Sequence, residues 1–155
     1  MLRLTLERLG HSVVHVDPYT LISSPGLIWW SQHTGNLLLG ARIGRYLRES
    51  LPSGHYDLAL VDNGALLDAV AVRWLKTIAS RTLLFCRDNP FSSRDGLRWR
   101  LLKPALRHYD LFVTRRESSA LAAKQWGARQ VDLIIPPADE IEHRPLQLSD
   151  QDRAR

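Results

Sequence analysis

The sequence predicts an α/β fold, a Rossmann-like doubly wound parallel sheet in a single domain. Short apolar blocks alternate with helix-like segments along most of the 155 residues. The blocks are apolar along their whole length rather than at every second residue, which is typical of parallel strands covered by helices on both faces. Right-handed crossovers between such strands make the sheet doubly wound.

The first third of the sequence contains one predicted strand between two helices. Leucines and charges over residues 2–9, closed by Gly10, predict a short helix. The β-branched stretch SVVHVD predicts a strand over residues 12–17. Residues 18–35 have no clean periodicity, so we expect a long loop with at most one helical turn. Asn36 then caps a helix over residues 37–50.

The remaining elements repeat the strand and helix alternation. Strands are predicted over residues 57–62, 82–86, 110–114 and 130–135. The intervening helices are predicted over residues 65–78, 97–108 and 118–126, the last ended by Gly127.

The two ends of the predicted domain differ from a complete βαβ fold. Such folds normally open on a strand, whereas this sequence opens on a helix, so we expect the first strand to be missing. The exposed sheet position left by it predicts a chain that is marginally stable or self-associates. We assign residues 1–136 to the domain and the polar residues 137–155 to a linker or tail.

Composition limits the classes of function. The chain is 45% apolar and 24% charged, which is typical of a globular protein. A net charge of +5 suits an anionic partner, yet no recognition helix is evident, so we expect no specific nucleic acid. The single cysteine excludes an internal disulfide and favours the cytoplasm. Apolar runs are shorter than the roughly 20 residues of a membrane-spanning helix, which predicts no transmembrane segment.

Polar residues follow three neighbouring predicted strands. In open parallel sheets, ligands bind outside the carboxyl ends of the strands, so these side chains are candidates for substrate binding. An alternative is that Asp88 and Asn89 only form a turn and cap the next segment. The candidate substrate-binding residues are Asp62, Asn63, Arg87, Asp88, Asn89, Pro90 and Arg115.

Other residue groups allow two interpretations each. Trp29 and Trp30 are suited to stacking on a sugar ring or to covering the core. Five cations between residues 94 and 107 could bind phosphate or could form a solvated helix face. Cys86 lies in a strand and is expected to be a structural thiol. No histidine or cysteine spacing indicates a metal site, and no glycine-rich motif indicates a nucleotide cofactor, so we expect neither.

Four segments together resemble a known family. These are GHSVVHVDP, YDLALVDNG, LLFCRDNPFSS and HYDLFVTRRESSALAAKQWGARQVDLIIPPAD. Their order is similar to the N-terminal half of the CgeB-like glycosyltransferases, often called spore maturation proteins, which are similar to two-domain GT-B enzymes. The resemblance covers about residues 6–145.

The resemblance implies an acceptor-side domain that is inactive without a second, donor-binding domain. The expected partners are a sugar acceptor and, through the absent domain, a nucleotide-sugar. Arg87, Asp88, Asn89 and Pro90 would border the cleft, with Asp62 and Asn63 beside them, and no catalytic base can be assigned. The competing hypothesis is a non-catalytic, flavodoxin-like binding or scaffold module.

Overall fold

The structure is a computed structural model that describes residues 2–37 and 39–135, apart from the side chain of Gln32. Residues 2–15 belong to one compact unit, and residues 16–135 form the other. The first contains helix α1, Leu2–Arg8, in which Arg3 and Glu7 form an ion pair one turn apart. All further elements lie in the second unit.

The second unit is an α/β fold around four strands. The strands are β1 (Tyr56–Asp62), β2 (Ala79–Cys86), β3 (Leu111–Thr114) and β4 (Val131–Leu133). The helices are α2 (Pro25–Thr34), α3 (Leu39–Ser50), α4 (Ala69–Ile78), α5 (Leu102–Ala105) and α6 (Glu117–Gln125), with short 3₁₀ helices at Pro18–Ile22 and Leu106–His108. The predicted α/β class and all-parallel sheet are confirmed, and the architecture is Rossmann-like.

The four strands lie side by side in chain order, β1-β2-β3-β4, and every pairing is parallel. The described strands therefore lack the reversal of order that a doubly wound sheet contains. Because right-handed crossovers in one direction place their helices on one face, α4, α5 and α6 cover the same side of the sheet.

Burial of the strand side chains alternates accordingly. In β2, Thr82, Leu84 and Cys86 are completely buried under the helices. Arg81, on the opposite face, is exposed, and Leu58 of the neighbouring strand is 44% exposed. The expectation of strands buried on both faces is thus met fully on the helix-covered side and only in part on the other, where Val113 is buried and Phe85 half-buried.

The core between helices and sheet contains several residues from irregular segments, and Trp99 is the largest of them. Trp99 is fully buried, and its indole N–H donates to Asp95 Oδ2 at 3.1 Å. The expected helix over residues 97–108 is shorter, because residues 91–101 form successive turns before α5 begins. Burial of the Trp99 ring and the hydrogen bond from its indole N–H to Asp95 hold those turns in position, although they form no continuous helix.

The expected strand over residues 12–17 is wrong. Residues 11–17 are irregular, and Asp17 instead accepts a hydrogen bond from the Tyr19 N–H at 2.9 Å and begins a 3₁₀ helix. β-branched residues favour a strand only where a neighbouring strand supplies ladder hydrogen bonds.

The expected loop over residues 18–35 contains an unpredicted helix, α2. Ser24 caps it by accepting from the Leu27 N–H at 3.4 Å, and Pro25 occupies its first position. Gly35 ends it with a φ of 66°. The Ser-Pro start and the glycine stop were therefore present in the sequence, but without an apolar period between them no helix was predicted.

Several boundaries also moved. The expected helix over residues 65–78 begins only at Ala69, because Asp68 caps it by accepting from the Ala71 N–H at 2.8 Å. The side chain of Asn36 does not cap α3; it is directed to other segments, as described below. The tail over residues 137–155 lies outside the described residues.

The side chain of Asp110 connects the start of β3 with strand β2 and helix α4. Asp110, just before β3, accepts a salt bridge from Lys76 of α4 and hydrogen bonds from the N–H and hydroxyl of Thr82 in β2, at 2.9 and 3.0 Å. Burial alone would raise the pKa of Asp110, but these donors outweigh it and hold the pKa below its usual range. The charged form of Asp110 therefore stabilises the register of β2 and β3.

Replacement of Asp110 with Asn should lower the free energy of unfolding near neutral pH by roughly 1–3 kcal/mol, since a charged acceptor is lost. The folded pKa is lowered, so the stabilisation is present above the unfolded pKa of about 4 and disappears as pH falls through the folded value. Urea titrations at several pH values should show the two proteins converging in acid. Asp132→Asn, at an exposed carboxylate of β4, is the control; a gap that is independent of pH would contradict the assignment.

Candidate functional site

The carboxyl ends of β1, β2 and β3 meet at one edge of the sheet. Asp62 pairs with Phe85, Phe85 pairs with Val113, and Cys86 pairs with Thr114, so the three strands finish almost level. The residues that follow them are consequently neighbours in space. The sequence-based expectation of a shared edge agrees with this register.

Direct contacts connect five of the seven predicted residues. Arg87 Nη2 donates to Asp62 Oδ2 at 3.1 Å, and Arg115 Nη2 donates to the Arg87 carbonyl at 3.1 Å. Asn63 Nδ2 donates to Asp88 Oδ2 at 3.4 Å. We call these five residues, which bridge the three strand ends, the polar rim.

Asn89 and Pro90, the other two predicted residues, shape the loop. Asn89 Oδ1 accepts from the Phe91 N–H at 3.1 Å, which closes an Asx-turn, and Pro90 is buried. For Asn89 the turn-forming alternative therefore describes its contacts. Its oxygen is occupied by the backbone, whereas the rim side chains are directed to one another across the strand ends.

The ion pair of the rim is accessible to solvent. The side chains of Arg87 and Asp62 are 55% and 42% exposed. A pair this exposed contributes at most about 1 kcal/mol to folding, so its stabilising value is small. Both groups keep hydrogen-bonding capacity toward solvent, because a guanidinium has five N–H donors and a carboxylate has two acceptor oxygens.

Asn63 has an unusual backbone and an unpaired oxygen. It and Gly64 both have positive φ values, 74° and 73°. Asn63 Oδ1 is enclosed and has no hydrogen-bond partner among the described residues. A buried acceptor without a donor is costly, and such exceptions are informative about sites. The left-handed pair turns the chain sharply after β1 and directs the Asn63 amide along the sheet edge toward Asp88.

Cys86 lies directly beneath the rim and is not a nucleophile. Its side chain is fully buried, and burial raises the pKa of the thiol to about 12. The expectation of a buried structural thiol is confirmed. Among residues 2–37 and 39–135, no three His, Cys, Asp or Glu side chains are placed to hold a metal ion together.

Sequence reasoning missed the residue that joins the neighbouring loops. Asn36 is buried with a φ of 64°, and its Nδ2 donates to the carbonyls of Ala65 and Arg98, both at 3.1 Å. The turn between α2 and α3 is thereby attached to the loops that follow β1 and β2. The Gly-Asn pair after a helix suggests a left-handed turn, but nothing local indicates the distant carbonyls.

The aromatic pair Trp29 and Trp30 lies on α2 and does not cover the core. The two side chains are 58% and 40% exposed, and the Trp29 ring stacks on His33 with centroids 4.3 Å apart. Of the two sequence interpretations, packing over the core is therefore not observed.

Fold and contacts together define a Rossmann-like α/β domain with polar side chains gathered at the carboxyl edge of its sheet. The chain matches no protein-family model, and no curated protein or solved structure matches it. No helix in the described part of the chain is long and apolar enough to cross a membrane.

Replacement of Gly64 with Ala should destabilise the fold by roughly 2–4 kcal/mol. The positive φ costs about 1–2 kcal/mol, and the new Cβ would lie 2.7 Å from Leu84 Cδ1, which is fully buried and cannot swing aside. Gly96→Ala is the matched control, since Gly96 has a φ of 55° with open space around it. Chemical denaturation should show a clearly smaller loss for the control; equal losses would refute the proposed steric contribution.

Alkylation should distinguish native from unfolded Cys86. Because the thiol is buried and its pKa is raised to about 12, iodoacetamide in mildly alkaline solution should leave the native chain unmodified. The same reagent should modify the chain quickly in guanidinium chloride, as intact-mass spectrometry would record. Similar modification rates in both conditions would contradict the burial of this side chain.

Proposed function

We propose that this chain is the acceptor-side domain of a two-domain GT-B glycosyltransferase. In this proposal a sugar passes from a nucleotide-sugar to an acceptor held at the polar rim, and a second domain supplies the nucleotide-sugar site. The chain alone binds acceptor without catalysing transfer. The proposal keeps the cytoplasmic location expected from the single cysteine.

One observation carries the proposal: exposed charged groups meet at the carboxyl edge of a parallel sheet. Ligands of open α/β sheets bind at that edge. A sugar hydroxyl can donate to Asp62 and accept from Arg87.

The edge of the sheet also supports the proposed missing strand. Among the described residues, β1 pairs with β2 alone, so its other edge has no strand partner in that part of the chain. A strand added beside β1 would satisfy that edge. Marginal stability or self-association of the chain alone remains the corresponding prediction.

A non-catalytic scaffold module is the second candidate. It is favoured by the contacts within the rim, since Arg87 pairs with Asp62 and Asn63 pairs with Asp88. In a scaffold module the role of these pairs would be to join the loops, with no ligand bound by them. The two candidates differ in whether disruption of the rim removes ligand binding.

Arg87→Ala should weaken acceptor binding about ten- to a hundredfold, the equivalent of one or two charged hydrogen bonds. Folding should change little, because the lost ion pair is exposed. Calorimetric titration with a panel of saccharides and nucleotide-sugars would measure this, using the chain alone and the chain extended by its flanking coding sequence. Arg42→Ala, an exposed arginine of α3, is the control.

The extended protein should bind nucleotide-sugar and transfer it, whereas the chain alone should bind acceptor only. Absence of a second α/β domain in the flanking sequence would overturn the GT-B assignment. Saccharide binding that survives Arg87→Ala would overturn the role of the rim and favour the scaffold alternative.

A further inference from the structure

A second charged region lies away from the polar rim. Arg73 Nη1 of α4 is 3.4 Å from His108 Nε2, and Lys76 follows Arg73 one helical turn later. Arg107 precedes His108 and packs near Gly127, which brings Arg129 to the same region. We call this group the basic face; its members are Arg73, Lys76, Arg107, His108 and Arg129.

The positive charge of the basic face is largely uncompensated. Arg73, Arg107 and Arg129 are exposed and form no ion pair with another described residue. Asp110 is paired with Lys76 and offsets that single charge. Partial burial and the four neighbouring cations lower the pKa of His108, which reflects how closely the charges are gathered.

An open cavity with three leucines in its wall adjoins these cations. It has a volume of about 640 Å³, opens to solvent and is lined by Leu58, Leu83 and Leu111 together with the polar residues Arg81, Thr82, Asp110, Arg129 and Gln130. These leucines lie on the sheet face that α4, α5 and α6 leave uncovered. Arg129 belongs both to the cavity and to the basic face, and the cavity residue Asp110 is paired with Lys76 of that face, so the two features adjoin.

We propose that the basic face and its adjoining leucine cavity form a docking surface for anionic phospholipid. Headgroup phosphates pair with the arginines, and aliphatic chain enters the cavity between Leu58 and Leu111. Each Lys or Arg close to an anionic bilayer contributes about 1 kcal/mol of attraction, so three exposed arginines give substantial binding. This proposal is independent of the glycosyltransferase proposal and uses none of its residues.

The combination of charge and aliphatic surface favours lipid over other polyanions. A nucleic acid would neutralise the cations through its phosphates but would leave the leucine-lined cavity exposed to water. A second copy of the chain would bring the same positive charge, because the chain carries a net charge of +5. An anionic lipid satisfies both parts of the surface at once.

Vesicle sedimentation tests the proposal with the full chain. Vesicles of phosphatidylcholine containing phosphatidylglycerol should retain the protein, vesicles of phosphatidylcholine alone should not, and salt should weaken the binding. The double variant Arg107→Gln, Arg129→Gln should bind at least about tenfold more weakly. The double variant Arg42→Gln, Arg45→Gln removes the same charge from exposed positions on α3 and should bind as the parent does.

A second variant tests the cavity. Leu58→Ser should weaken vesicle binding further while leaving the salt dependence unchanged, and circular dichroism would verify that each variant is folded. Absence of binding to anionic vesicles at low salt, or equal loss in both arginine double variants, would overturn the proposal. Salt-sensitive binding to duplex DNA that requires Arg107 and Arg129, with no vesicle binding, would assign the surface to nucleic acid instead.

Discussion

Parallel pairing of the strands is the constraint on which the described structure depends. Parallel strands need crossovers that return the chain to the same end, so each strand finishes at the edge where its neighbours finish. The loops after β1, β2 and β3 are therefore forced together, although more than 50 residues separate Asp62 from Arg115. Asp110 fixes the opposite end by binding β2 and α4 at the start of β3, so both ends of the register are held by polar contacts. A shift of β2 along its neighbours would separate the contacts of the polar rim and, at the same time, those of Asp110.

Residues of the sheet edge divide into groups that shape the loops and groups that face solvent. Asn89, Pro90 and Gly64 determine where the backbone turns. The side-chain oxygen of Asn89 is bonded to the backbone, and neighbouring side chains leave no room for a Cβ at Gly64. Asp62 and Arg87 remain open to water, while Cys86 beneath them is held neutral by burial. The edge thus presents charged groups to solvent above a thiol that burial keeps neutral.

Apolar blocks made the strands of the sheet predictable, whereas contacts between distant segments were not. A block such as TLLFC can lie only in a buried strand, and the polar residues at its end follow from parallel topology. Residues 12–17 look equally strand-like, but a strand also needs a neighbour, which composition does not reveal. The cations between residues 94 and 107 were grouped by their spacing in the sequence. In the structure Arg107 lies with Arg73 and Arg129 instead, because α4 packs against the 3₁₀ helix Leu106–His108. Asn36 was expected to cap the following helix, and its role in joining two loops depends on carbonyls 29 and 62 residues away.

The double hydrogen bond of the Asn36 amide has a mechanical consequence. Its two N–H groups donate to carbonyls from separate loops. A rotation of α2 would break both hydrogen bonds and leave a buried amide without partners. The turn after α2 and the loops that follow β1 and β2 are consequently tied to one another, so a movement of any one of these three segments would have to be shared by the other two.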